Sequence, residues 1–268
     1  MSTYTALFSG SSGNCSLVRC GDESLLIDLG KNCKQVLLAL ENIGVNPRDI
    51  GGILITHEHS DHIGALRVFL KKYKIPVYGT AATLDYLDEN GYFPQDIEKV
   101  TICGREENIG TLTVNAFRTS HDSVDCCGYK ITDKNGESVC IATDLGCVDE
   151  NVYSFLKGSN LVVLEANYDN TMLTFGSYPY HLKVRIKSQR GHLCNDDTAS
   201  TVVKLAKDGC KKFALCHLSN ENNTPLTALD TVTAQLIEQG ICTAQSLADK
   251  EILLQANKRN EVSLPIEF

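Results

Sequence analysis

A chain of 268 residues is long enough to bury a sizeable core, in one large domain or two small ones. Its formal net charge of −8 argues against coating nucleic acid by charge alone, which rests on Lys and Arg neutralising phosphates, yet leaves room for a nuclease with a local basic strip. No apolar run reaches membrane-spanning length, and Met1-Ser2-Thr3-Tyr4 lacks the basic and apolar regions of a signal peptide, so the expectation is a cytoplasmic protein with no membrane partner.

Residues 3–8 alternate as a strand does, and Ser9-Gly10-Ser11-Ser12-Gly13-Asn14 then breaks the alternation. Such a loop either turns its backbone N–H groups and hydroxyls toward an anion or simply connects a hairpin. Residues 15–19 and 24–27 read as two further strands, the second delivering Asp28 at its end. Val36, Leu37, Leu40 and Ile43 then mark a helix over 34–42, with Asn32 as cap and Gly44 as stop.

The apolar run Gly52-Ile53-Leu54-Ile55 reads as a buried strand over 52–56 and leads into Thr56-His57-Glu58-His59-Ser60-Asp61-His62. Those seven residues hold three of the seven histidines, placed where an α/β sheet carries its chemistry. In an extended segment His57 and His59 project to the same side and can reach one ion. Asp61 and His62 sit at the following turn, which suggests a second cation nearby. Imidazole nitrogen with carboxylate oxygen suits zinc, manganese or iron, and two ions about 3.5–4 Å apart can clamp the attacking and leaving oxygens of a hydrolysis. A solvated polar loop is the bland alternative, but so dense a cluster after a core strand speaks against it.

Leu66, Phe69, Leu70 and Tyr73 mark the next helix, ended before Pro76; residues 77–79 read as a short strand and 80–89 as a helix closed by Asn90-Gly91. Residues 112–117 form a strand that presents His121. Residues 128–132 and 138–143 make a hairpin through Lys134-Asn135-Gly136, and its second strand ends on Asp144. A buried strand over 160–165 precedes an irregular loop over 167–176. The stretch 178–195 contains Lys183, Arg185, Lys187 and Arg190 with no acid until Asp196, flanked by His181 and His192; it is either a solvated helix face or a surface that meets substrate. A helix over 196–207 capped by Asn195, a strand over 213–216 handing over to His217, a helix over 227–239 and edge strands over 251–254 and 262–266 complete the chain.

Strands whose ends deliver His57 to His62, His121, Asp144 and His217, with helices between, fit two sheets packed face to face and flanked by helices. His121 and His217 then supply the ligands the first cluster lacks. No repeat and no low-complexity linker divides the chain, so a single domain over 1–268 is expected. Twelve cysteines, scattered without a CxxC motif, read as small buried hydrophobes in a reducing cell.

The cluster His57-Glu58-His59-Ser60-Asp61-His62, preceded by Asp28 and followed in order by His121, Asp144 and His217, resembles the five-motif signature of the metallo-β-lactamase superfamily over most of the chain. More narrowly, Ser9-Gly10-Ser11-Ser12-Gly13-Asn14-Cys15, Gly191-His192-Leu193-Cys194-Asn195 and His217-Leu218-Ser219 with Asn222-Asn223 resemble the YycJ/WalJ branch, which is associated with 5′-exonuclease activity on DNA. The resemblance implies an α/β, four-layer αββα sandwich holding two divalent ions, zinc or manganese with iron as a further option. It implies His57, His59 and His121 on one ion, Asp61, His62 and His217 on the other, Asp144 bridging, and a hydroxide between the ions. Asp28 is expected beside the cage, either accepting the second ring N–H of a ligand histidine or serving a turn. In related phosphodiesterases the counterpart of His192 faces the scissile phosphate, to steady its oxygens or protonate the leaving oxygen; the alternative is a structural histidine at a turn.

The expected function is therefore a dinuclear metal-dependent phosphodiesterase, a 5′-to-3′ DNA exonuclease in which the bridging hydroxide attacks the phosphodiester while Asp61 and His192 manage protons. Its partners would be 5′-phosphorylated DNA ends, held by Ser9, Ser11, Ser12, Asn14, His192 and Asn195. The chain lacks the inserted segment of the β-CASP nucleases, Asp144 stands where many lactamases have cysteine, and His59 is not the glutamate of diiron flavoproteins. These departures turn the reading away from long RNA tracks, antibiotic hydrolysis and oxygen reduction. The rivals are a small-molecule hydrolase acting on a cyclic phosphodiester, thioester or lactone, and a silent binding module braced by metals. Composition and motifs leave oligomeric state open.

Overall fold

A computed structural model describes residues 2–249 and 251–268. Six strands of the first half, β1 (Ser2–Phe8), β2 (Cys15–Cys20), β3 (Glu23–Ile27), β4 (Ile50–Leu54), β5 (Val77–Gly79) and β6 (Lys99–Thr101), lie side by side in chain order. Seven more, β7 (Glu106–Ile109), β8 (Leu112–Arg118), β9 (Cys127–Thr132), β10 (Ser138–Ala142), β11 (Leu161–Glu165), β12 (Lys212–Cys216) and β13 (Leu253–Ala256), form a second sheet, also in chain order. The last strand, β14 (Ile266–Glu267), returns to pair with β1 on the edge of the first sheet. Each sheet is mixed. Apart from the β1–β14 pair, antiparallel neighbours follow one another directly in the chain, and the parallel neighbours, such as β3 with β4 and β10 with β11, are joined by crossovers carrying helices.

Both faces of each sheet are covered, which is why the central strands read as unbroken apolar runs. In β3, Leu25 and Ile27 point between the sheets and Leu26 points outward; in β11, Leu161 and Val163 point inward while Val162 and Leu164 point out. Helices α1 (Cys33–Asn42), α2 (Ser60–Ile63), α3 (Leu66–Lys72) and α4 (Ala81–Glu89) belong to the first half, and Val36, Leu40, Phe69, Leu70 and Leu84 seal its sheet from outside. Helices α5 (Glu150–Leu156), α6 (Asn170–Phe175), α7 (Tyr180–Ile186), α8 (Asn195–Lys207), α9 (Pro225–Glu238) and α10 (Ala244–Ala248) belong to the second half, where Val152, Val202 and Val232 do the same. The layers run helix, sheet, sheet, helix: an αββα sandwich. No described helix is long and apolar enough to cross a membrane.

Several expectations are corrected. The strand expected over 52–56 is Ile50–Leu54, because the Thr56 amide leaves the ladder and donates to Asp28 Oδ1 at 2.9 Å. The loop expected over 167–176 contains α6, capped by Asp169, whose Oδ1 accepts from Met172 N at 2.8 Å. Helix α8 starts one residue earlier than expected: Cys194 is its cap, its sulfur accepting from Asp197 N, and the Asn195 side chain is engaged with Asn223 instead. Short strands β6 and β7 and helices α5 and α10 carried too little periodicity to be read beforehand. All twelve cysteines are free thiols.

Candidate metal centre

Every strand end singled out in the sequence opens on one edge of the sandwich. Asp28 follows β3, the His57 to His62 cluster follows β4, His121 follows β8, Asp144 follows β10 and His217 follows β12. Three of these residues, Asp28 (φ 60°), Asp144 (φ 55°) and His217 (φ 53°), have left-handed backbone, rare for residues with a side chain and typical of strained functional positions. The backbone also passes unusually close at Gly30, where a Cβ would fall 1.6 Å from the Asp61 carbonyl oxygen. Only glycine admits that approach.

Four imidazoles are fixed in the same sense. Asp28 Oδ2 stands 2.8 Å from His62 Nδ1 and accepts the Thr56 hydroxyl at 2.9 Å, and that hydroxyl in turn accepts from His57 Nδ1 at 3.0 Å. His121 Nδ1 donates to the Gly191 carbonyl at 3.0 Å, and His217 Nδ1 to Glu165 Oε1 at 2.8 Å. Each ring thus presents Nε2 to a shared space, with the tautomer set by the oxygen behind it.

His57, His59 and His121 offer ligand atoms within 4.8 Å of one another, as do Asp61, His62 and His217; Asp144 forms a further group of that kind with His57 and His62. Asp144 Oδ2 is 3.2 Å from His62 Nε2, and its Oδ1 is 3.2 Å from His217 Nδ1. Asp61 Oδ2 lies 3.6 Å from Nε2 of both His62 and His217.

The residues fit divalent cations. His57 Nε2 and His217 Nε2 are buried and have no hydrogen-bond partner among the described residues, an arrangement that normally costs free energy unless a cation or a hydrogen-bond partner engages the nitrogen. Burial first, and then the neighbouring His62, His121 and His59, hold His57 well below the usual imidazole range, against the pull of Asp144, so it keeps a free lone pair. Burial works against a charge on His217, but Asp144, Asp61 and Glu165 prevail and push it up to about 10. The same contest raises His62, beside Asp144 and Asp28. The carboxylates of this pocket call for positive charge, in a cage of imidazole and carboxylate donors of the kind that takes zinc, manganese or iron.

Glu165 is the residue that sequence reasoning missed. It is fully buried; its Oε1 is 2.8 Å from both His192 Nδ1 and His217 Nδ1, and its Oε2 accepts from the amides of Leu145 and Leu193 at 3.0 and 3.2 Å. The signal was present, since Glu165 ends an apolar run as Asp28 does. Asn167 was missed too; its side-chain amide donates to the His217 carbonyl at 2.9 Å.

The serine loop lies against the cage, with mixed roles for its side chains. Ser9 Oγ accepts from His217 N at 2.9 Å, and Asn14 Oδ1 accepts from Gly10 N at 2.8 Å while its Nδ2 stands 3.0 Å from His62 Nε2. Ser11 and Ser12 are exposed, and Lys31 Nζ donates to Ser12 Oγ at 2.9 Å. Asn195 is buried, bonded to Asn223 and turned away from solvent. Of the two histidines flanking the basic strip, His192 reaches the cage and His181 is exposed. Within the strip, Arg185 pairs with Asp122, and Arg190 donates to the His121 carbonyl at 3.0 Å.

The family described as "Beta-lactamase superfamily domain" matches residues 24–217, and the chain is 35% identical over 238 residues to the Exodeoxyribonuclease YycJ of Bacillus anthracis, covering 88% of this chain and 90% of that protein. The chain belongs to the metallo-β-lactamase superfamily. Within that superfamily it falls in the YycJ/WalJ branch, being also 34% identical to the Exodeoxyribonuclease WalJ of Streptococcus pneumoniae serotype 2 (strain D39 / NCTC 7466) over 88% of each chain. The metallo-β-lactamase sandwich is likewise seen in the Zn(2+)-bound PqqB of Methylobacterium extorquens, whose crystal structure aligns at a TM-score of 0.74 and 15% identity over 99% of this chain and 100% of that one, a likeness of fold alone. As a metallo-β-lactamase superfamily member, the protein is a hydrolase whose fold implies divalent metal ions.

Proposed function

We propose that residues 1–268 act as one metallo-β-lactamase-like domain, a dinuclear metal-dependent phosphodiesterase that degrades DNA from 5′-phosphorylated ends in the 5′-to-3′ direction. The observation that carries this reading is Asp144, a buried carboxylate in contact range of both ligand groups. His57, His59 and His121 would hold one ion and Asp61, His62 and His217 the other, with Asp144 between them. The ions, when bound, supply a nucleophile near neutral pH by lowering the pKa of water and offset charge on the phosphoryl oxygens.

The chain's own residues take the remaining work. His192 Nδ1 is committed to Glu165, so its Nε2 is the atom that faces the phosphate and hands a proton to the leaving oxygen. Asp61, whose side chain is 22% exposed, receives the proton of the attacking water. Ser11 and Ser12, with Lys31 behind them, receive the terminal phosphate; Ser9, Asn14 and Asn195 hold the loops that shape this pocket. Kinship with two proteins named exodeoxyribonucleases supports DNA as the substrate.

The test is a digestion of internally labelled single- and double-stranded DNA bearing 5′-phosphate or 5′-hydroxyl, with zinc, manganese or iron added back to chelated protein. Mononucleotides should leave from the 5′ end and only with metal. Release from the 3′ end would overturn the polarity. Turnover of bis(4-nitrophenyl) phosphate or a lactone with DNA left intact would favour the small-molecule rival.

A further inference from the structure

The segment between β11 and α8 carries two aromatic rings that the protein leaves almost wholly in solvent. Phe175, at the end of α6, is 84% exposed, and Tyr180, the first residue of α7, is 82% exposed; Val184, one turn further along α7, is 51% exposed. Lys183 of α7 bonds to the Thr174 and Gly176 carbonyls on either side of Phe175, which ties the two helices together, and exposed large apolar side chains on such a segment mark a surface that meets something. Tyr180 and Val184 also line a groove of about 580 Å³ with Lys183 and Lys187, within the size range of binding clefts.

Three of the four cations of this segment are unspent. Lys183 donates to the carbonyls of Thr174 and Gly176, Lys187 to the Thr174 hydroxyl and Arg190 to the His121 carbonyl. These acceptors fix the side chains without cancelling their charge, and none of the three forms an ion pair among the described residues. In a chain of net charge −8, this is a local cationic strip. It is also tied to the metal centre: Arg185 pairs with Asp122, whose Oδ1 lies 3.3 Å from His121 Nε2.

We infer that Phe175 and Tyr180 form a stacking platform for the bases of a single DNA strand, with Lys183, Lys187 and Arg190 following its phosphates toward the metal centre. The inference rests on the nuclease reading above and names where the strand lies. Flat rings bind any base by its face, and cations beside them take the backbone, which is how single strands are held without sequence preference. A duplex hides all base faces but the terminal ones, so the platform selects an unpaired strand.

The experiment uses the metal-loaded protein and a 5′-phosphorylated single-stranded oligonucleotide, with binding followed by fluorescence anisotropy and KM by nucleotide release. The double variant F175A/Y180A should raise Kd and KM, each ring contributing roughly 5- to 150-fold. F175Y/Y180F keeps both rings and should keep wild-type affinity. Leu264→Ala, an exposed apolar position just before β14 at the edge of the first sheet, should change nothing. Lys187→Gln should flatten the dependence of log affinity on log salt by about 0.7.

Unchanged Kd and KM in F175A/Y180A, with wild-type protein degrading the strand, would overturn the platform and leave the nuclease reading standing. Wild-type protein that neither binds nor cleaves the strand would overturn both. A variant that keeps its KM but loses self-association in sedimentation would overturn the platform too, making the rings a protein contact.

Discussion

Glu165 Oε1 stands 2.8 Å from Nδ1 of His217 and equally close to Nδ1 of His192, so one buried oxygen orients two imidazoles. Both Glu165 oxygens are occupied only by donors, two ring N–H groups on one and two amides on the other. Glu165→Gln would set an NH₂ against one of those pairs. The expected outcome is a loss of about 10- to 100-fold in metal affinity and a stability cost of roughly 1–3 kcal/mol, read by competition with a chromogenic chelator and by urea melts. Wild-type affinity in this variant would show that His217 does not depend on Glu165 for its orientation.

Removing a cage residue should separate chemistry from folding. His59→Ala and Asp61→Asn are expected to retain the far-ultraviolet circular dichroism of the wild type while hydrolysis falls by about 10²-fold or more. Chelation should do the same and lower Tm, since an ion that binds only the folded state stabilises it by mass action. Full activity of either variant in metal-free buffer would end the metal mechanism.

Asp28 carries a second test. Asparagine tolerates left-handed backbone, so Asp28→Asn leaves the φ of 60° unstrained and changes only the charge and one acceptor. Its Oδ2 serves both His62 and the Thr56 hydroxyl, and an NH₂ there would repel both donors. Metal affinity should fall about 10- to 100-fold, with the fold retained by circular dichroism. No change would place the role of Asp28 in the turn alone.

Asp133 predicts a pH dependence far from the cage. Burial opposes its charge, but the Ser2 hydroxyl at 2.7 Å and the amides of Asn135 and Glu137 at 2.8 and 3.1 Å prevail and hold its carboxyl below the usual range. A depressed folded pKa adds stability above the unfolded value, about 3.9, and that stability is lost as pH falls through the folded value. Asp133→Asn should therefore be less stable by roughly 1–3 kcal/mol at neutral pH, with the gap closing in acid. Urea melts across that range would show it; a gap that widens in acid would refute the assignment.

The strand ends were legible because each joins an apolar run to a chemically distinctive residue: β4 to His57, β10 to Asp144, β12 to His217. Glu165 ends such a run too, but its partners His192 and His217 lie 27 and 52 residues further along, so its role emerges only when the fold brings them together. Cys194 as a helix cap and α6 within an expected loop escaped for a related reason, since both rest on one or two side-chain hydrogen bonds rather than on periodicity. The serine loop illustrates the limit from the other side. Its composition suggested an anion pocket, but burial decides which hydroxyls face outward, and Ser9 is turned in to hold His217 while Ser11 and Ser12 are exposed.

The cage draws on both sheets: β4 of the first hands over to His57, His59, Asp61 and His62, and the second contributes His121, Asp144 and His217. During translation the ribosome therefore releases four of the seven proposed donors long before the remaining three, and His217 follows the third-from-last strand to emerge. If those residues hold the ions as proposed, the ion trap closes only once the two halves have docked, and a chain stalled before β12 lacks His217.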